Sequence, residues 1–179
     1  MERIALLVID VQKTLVNEHP YQEEIMLDSI VKLISCCRNK GIEIIYVQHN
    51  GNEEENLAPG TEGWQIYYKI KPAGTERVFH KNYNSAFKDT GLRDYLDTKE
   101  FTTLIIAGMQ TEYCIDASIK AAFEYDFDLI MAKEAISTFD QPSISAKELC
   151  EFYLYRIWNN RFGKVLETDE IINSLKQSF

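Results

Sequence analysis

The chain has 179 residues, 45% of them hydrophobic, enough for one well-buried core and too few for two comfortable domains, so residues 1–179 read as one domain. A formal charge of −9, from 28 acidic against 19 basic residues, argues against nucleic acid or an anionic membrane as a partner and favours a small molecule. No window holds the roughly eighteen apolar residues of a membrane helix. Cys36, Cys37, Cys114 and Cys150 lack the spacing of a disulfide scaffold or a zinc site, and reduced thiols without a targeting segment point to the cytoplasm.

In chain order, β-branched apolar runs alternate with helical stretches, which is the pattern of βαβ units and a parallel sheet. Strands are predicted over Ile4–Val11, Glu43–Gln48, Arg77–His80, Thr103–Gly108, Asp128–Ala132 and Lys164–Glu167. Ala5–Ile9 in the first and Leu104–Ala107 in the fourth are apolar throughout, so these two strands belong mid-sheet, covered on both faces. Helices are predicted over Tyr21–Asn39, ending at Gly41, then Thr90–Thr98, Thr111–Tyr125, Ser145–Trp158 and after Thr168. Ser145 and Glu148 have capping-box spacing. Within the long segment from Asn50 to Thr75, Glu53–Glu55 reads as a solvated loop face. Pro59–Ile66, with its tryptophan, reads as a structured lid.

Ligands of open parallel sheets bind beyond the carboxyl ends of the strands. Asp10 closes the first strand, Lys81 follows the third, and Cys114 follows the fourth at a helix start. If those three strands lie close together, an acid, a cation and a thiol converge. A partly desolvated Asp10 would accept the thiol proton. Lys81 and the helix start would lower the thiol pKa, and Cys114 would attack a carbonyl carbon. The backbone N–H groups of Gln110 and Cys114 are the natural oxyanion donors, and removing one such donor costs about 3–4 kcal/mol. The alternative is a buried Asp–Lys pair beside an inert thiol, an arrangement rarely favoured for stability alone.

Four segments, Leu6–Gln12, Lys81–Phe87, Gly108–Cys114 and Ser137–Asp140, strongly resemble the isochorismatase-like cysteine hydrolase superfamily, which includes nicotinamidases and N-carbamoylsarcosine amidohydrolases. The resemblance implies a Rossmann-like three-layer α/β/α fold with a parallel six-stranded sheet, and Asp10, Lys81 and Cys114 as the triad. It also implies a non-proline cis peptide at Met109–Gln110 and a homo-oligomer, dimer or tetramer. Nicotinamidases bind a metal through an Asp-x-His pair and a second His. This chain has Val47-Gln-His-Asn50 and no further His before His80, so no metal and no other cofactor is expected.

These features point to a metal-independent cysteine hydrolase of small amides, carbamoyl or related carbonyl compounds. Isochorismatase-type vinyl-ether hydrolysis by Asp10 and Lys81, nicotinamidase activity and a non-enzymatic thiol sensor are the alternatives. Gln12, His49, Trp64, Tyr83 and Tyr113 are the candidate pocket residues, since they adjoin the triad motifs or the lid and pair aromatic walls with polar tips.

Overall fold

Runs of branched apolar residues form the strands of this chain because both faces of its sheet are covered. The structure, a computed structural model, describes residues 3–177, so the outermost residues of the expected domain lie outside the described residues. Strands β1 (Ile4–Ile9), β2 (Glu43–His49), β3 (Arg77–Lys81), β4 (Thr103–Met109), β5 (Asp128–Ser137) and β6 (Lys164–Leu166) all pair in parallel. Their order is β3-β2-β1-β4-β5-β6. The chain thus builds outward from β1 in one direction and from β4 in the other, and the crevice between their carboxyl ends is the place such sheets offer a ligand.

The period-two alternation of β1 sorts its side chains into two cores. Ala5, Leu7 and Ile9 pack with Leu96, Ile115, Ile119 and Trp158, whereas Leu6 and Val8 pack with Met26, Ile30, Leu33 and Ile171. Accordingly α3 (Leu92–Thr98), α4 (Asp116–Glu124) and α5 (Ala146–Phe152) cover one face, and α2 (Glu23–Lys40) and α6 (Thr168–Gln177) the other. Burying each such Leu or Ile side chain stabilises the fold by about 1.5–3 kcal/mol. Gly41, with φ at 67°, ends α2 in a Schellman turn, the Ile42 N–H reaching the Cys37 carbonyl at 2.9 Å. The predicted capping box of Ser145 and Glu148 opens α5. Among the described residues no helix is long and apolar enough to cross a membrane.

Several boundaries differ from the sequence expectation, each for a local reason. β1 stops at Ile9 rather than Val11 because Asp10 adopts a left-handed φ of 54°. β5 continues past Ala132 to Ser137, since Lys133 and Glu134, which break the apolar run, are satisfied at the sheet edge by Glu167 and by the N–H and hydroxyl of Thr168. The stretch predicted as one helix from Thr111 opens as a π-turn over Thr111–Ile115, where the Ile115 N–H reaches back five residues to the Gln110 carbonyl. Ser118 Oγ donates to the Cys114 carbonyl at 2.6 Å and supports this wider turn. A second π-turn, Tyr153–Trp158, continues α5. A short helix not anticipated from the sequence, α1 (Lys13–Asn17), follows β1.

Candidate active site

Each reactive side chain is delivered by the end of a strand or the turn after it. Asp10 is the first residue past β1. Its left-handed backbone, a conformation Asp tolerates better than most residues, is pinned by an N–H bond to the Val47 carbonyl at 2.9 Å. Close to it, Gly108 of β4 has φ at 125°, and a Cβ there would stand 2.0 Å from the Ile9 carbonyl oxygen. Only glycine lets β4 pass that near β1. Lys81 ends β3 in register with His49 of β2, and Cys114 lies half-buried in the π-turn after β4. The intervening Met109–Gln110 peptide is cis, as the resemblance implies.

The Lys81 ammonium is the hub. Its Nζ lies 2.6 Å from Asp10 Oδ2, 3.1 Å from Cys114 Sγ, 3.1 Å from His49 Nδ1 and 3.1 Å from the Tyr83 carbonyl oxygen. Asp10 and Lys81 are each only 1% exposed, so this is a desolvated pair rather than a surface one. Because an ammonium only donates, His49 Nδ1 accepts from it, which leaves the imidazole proton on Nε2.

Burial raises the Asp10 pKa above the ordinary carboxylate range and outweighs the opposing pull of Lys81. Burial, then the Asp10 carboxylate, push the Cys114 thiol up to about 12 against the opposing charge of Lys81. Lys81 lowers it as expected, but the net shift is upward rather than downward. Desolvation and an adjacent anion win, and Cys114 rests as a thiol. Burial, followed by the charge of Lys81, lowers the His49 pKa, so its ring is neutral at physiological pH.

Asp10, His49 and Cys114 offer ligand atoms within 4.8 Å of one another. The spot that a cation would need lies against Lys81 Nζ, which is 2.6–3.1 Å from one atom of each residue. The donor set is therefore filled by an ammonium and does not fit a metal.

A cavity of about 310 Å³ opens onto Asp10, Gln110 and Cys114. Of the expected pocket residues, His49 and Tyr113 line it. Gln12, Trp64 and Tyr83 do not, because hydrogen bonds tie Gln12 and Trp64 elsewhere and the Tyr83 ring packs on Lys88. Buried Gln12 donates through Nε2 to the carbonyls of His49 and Trp64 at 3.0 and 2.9 Å, and its Oε1 accepts from the His49 N–H at 2.9 Å. It thereby ties the lid to β2. Trp64 donates from Nε1 to Asn50 Oδ1 at 3.0 Å and stacks on His80. The exposed Tyr83 ring packs under the Lys88 ammonium, 3.8 Å from its centroid.

Sequence reasoning missed several of the walls. Thr14 and Leu15 come from the unanticipated α1, and Leu57 comes from the loop after β2. Asn84, whose Oδ1 lies 3.9 Å from Cys114 Sγ, had a usable signal in its place three residues after Lys81 in the same motif. Glu55, read as a solvated loop face, also lines the cavity.

The family model for the isochorismatase domain matches residues 4–170. An uncharacterised isochorismatase family protein of Bacillus subtilis, YrdC, is 28% identical over 96% of both chains. Streptothricin hydrolase of Streptomyces noursei is 31% identical over 78% of this chain and 51% of its own length, so this chain spans about half of that relative. A solved structure of an isochorismatase family protein superposes with a TM-score of 0.85 at 32% identity, covering 92% of this chain and 98% of that one.

Proposed function

Since this chain belongs to the isochorismatase family of hydrolases, we propose that it cleaves a small amide, carbamoyl or related carbonyl compound through a thioester on Cys114. The observation that carries this reading is the placement of Lys81 Nζ between Asp10 and Cys114, 2.6 and 3.1 Å away, at the wall of a cavity.

In this mechanism the Cys114 sulfur attacks the substrate carbonyl carbon as its proton passes to Asp10. The raised pKa of Asp10 suits that transfer, because a carboxylate closer to neutrality is a better proton acceptor. Negative charge develops on the former carbonyl oxygen, where the Gln110 and Cys114 N–H groups act as donors. Asp10 returns the proton to the leaving nitrogen, the C–N bond breaks, and a thioester remains. Water, giving a proton to Asp10, then attacks the thioester; the acid departs and the sulfur recovers its proton. Lys81 holds both partners in place and keeps the desolvated site close to neutral.

A second reading, protonation and hydrolysis of a vinyl ether, is favoured by the same raised pKa, because Asp10 in its acid form is a proton donor. A redox-sensing role fits less well, since a thiol pushed up to about 12 holds little thiolate. The deciding experiment is a panel of small amides and a vinyl ether assayed with Cys114→Ala. Loss of amide turnover with folding kept supports the covalent reading, and retained amide turnover refutes it.

A further inference from the structure

The cavity beside Cys114 has a one-sided charge that the proposed chemistry leaves unused. Its lining includes Asp10, Glu18 and Glu55 but no lysine or arginine. Asp10 is matched by Lys81, and His49 is neutral, which leaves Glu18 and Glu55. They arrive from separate elements, Glu18 just past α1 and Glu55 in the loop after β2. Neither side chain has an ion-pair or hydrogen-bond partner among the described residues. The basic groups near Glu18 in sequence are engaged elsewhere, Lys13 with Gln65 and Glu62, and His19 with Glu23. The Glu55 carboxylate is near enough for its charge to act on His49, which lines the same cavity.

Resting on the reading of Cys114 as the nucleophile, we infer that the cavity selects substrates bearing a positive charge near the scissile carbonyl, with Glu18 and Glu55 as the specificity-determining residues. The chemical class is an amide whose acyl or leaving portion carries an ammonium, amidinium or guanidinium group. A cleft lined by one sign of charge concentrates ligands of the opposite sign. The same pair repels the carboxylate that hydrolysis produces and so favours its release.

The test uses thiol chemistry and needs no known substrate. Two methanethiosulfonates of similar size are compared, one with an ethyl-trimethylammonium and one with an ethyl-sulfonate group. Cys114 sulfur bonds to the sulfenyl sulfur of the reagent, the reagent S–S bond breaks, methanesulfinate leaves, and the thiol proton passes to solvent. Labelling is followed by intact mass, with Cys114→Ala as the blank for buried Cys36, Cys37 and Cys150. Relative to a small free thiol, the cationic reagent gains on the order of tenfold over the anionic one, and high salt shrinks that advantage.

In Glu18→Gln/Glu55→Gln the preference collapses. In Glu53→Gln/Glu54→Gln, which changes the net charge equally at positions as exposed as Glu18 and Glu55 that do not line the cavity, it stays. With paired cationic and neutral amides, the first double variant raises KM for the cationic member and leaves kcat nearly unchanged. No cationic preference, or equal loss in both double variants, overturns the inference. An intact preference without amide turnover supports cation selection while refuting amide cleavage through Cys114, so the two failures are distinguishable.

Discussion

Lys81 and Cys114 meet at 3.1 Å although β2 and β1 stand between their strands in the sheet. The lysine spans that gap because it leaves the last position of β3, beside His49, and lies buried toward Asp10. It is therefore the residue on which both the charge balance and the geometry of the site depend.

Removing this cation leaves Asp10 buried without a partner. Lys81→Met is expected to cost about 3–5 kcal/mol at neutral pH. The pH dependence has a definite sign. The folded-state pKa of Asp10 already lies above its unfolded value and rises further without Lys81, so stability falls as pH climbs from the ordinary carboxylate range through that raised pKa. Below that range Asp10 is neutral in both states and the penalty shrinks. Urea unfolding at several pH values checks this, and Asp10→Asn/Lys81→Met should recover most of the loss.

The thiol pushed up to about 12 makes a prediction opposite to that for an activated thiolate. Alkylation of Cys114 by iodoacetamide should keep accelerating from pH 6 to pH 10 without levelling, because the thiolate fraction grows tenfold per pH unit below its pKa. A plateau near neutrality would show a low-pKa thiol. Enzymatic turnover should instead lose activity on the acid side, as Asp10 protonates, with that limb above the ordinary carboxylate range.

Gly108→Ala tests the close approach of the central strands. The new methyl would meet the Ile9 carbonyl oxygen at 2.0 Å in a backbone conformation that L side chains rarely adopt, and the neighbour is backbone that cannot swing aside. A loss on the order of 3 kcal/mol or more is expected in thermal or urea unfolding, with activity impaired through displacement of Asp10.

Gln12→Ala removes three hydrogen bonds, two to the His49 backbone at the end of β2 and one to the lid carbonyl of Trp64. The His49 N–H and carbonyl left without the amide should cost about 1–3 kcal/mol, while the Trp64 carbonyl keeps its bond from Gln48 Nε2 at 2.6 Å. Limited proteolysis should then cut the segment around Trp64 faster than in the parent chain. Unchanged cleavage would mean that Gln12 does not hold the lid.

Much of this was legible in the residues. The uniformly apolar runs at Leu6–Ile9 and Leu104–Ala107 mark central parallel strands, since only strands covered on both faces read that way. The acid, the cation and the thiol at strand ends mark the crevice. What was hidden depends on three-dimensional context. The charged pair Lys133–Glu134 masks the outer half of β5, because its partners Glu167 and Thr168 come from a distant part of the chain. The thiol pKa was misjudged because sequence shows the neighbouring charges but not the depth of burial. Trp64 and Tyr83 have pocket-like chemistry, yet Asn50 and Lys88 engage them elsewhere. The glutamate run hid Glu55, since nothing in three identical residues tells which one faces the cavity.

The covalent route requires that Cys114 carry the acyl group of the substrate. Rapid quenching during turnover of a small amide, followed by intact and peptide mass analysis, tests it most directly. An added mass equal to the acyl portion is expected on the Cys114 peptide, decaying as substrate is exhausted and absent in Cys114→Ala. Undiminished amide turnover by Cys114→Ala would contradict it.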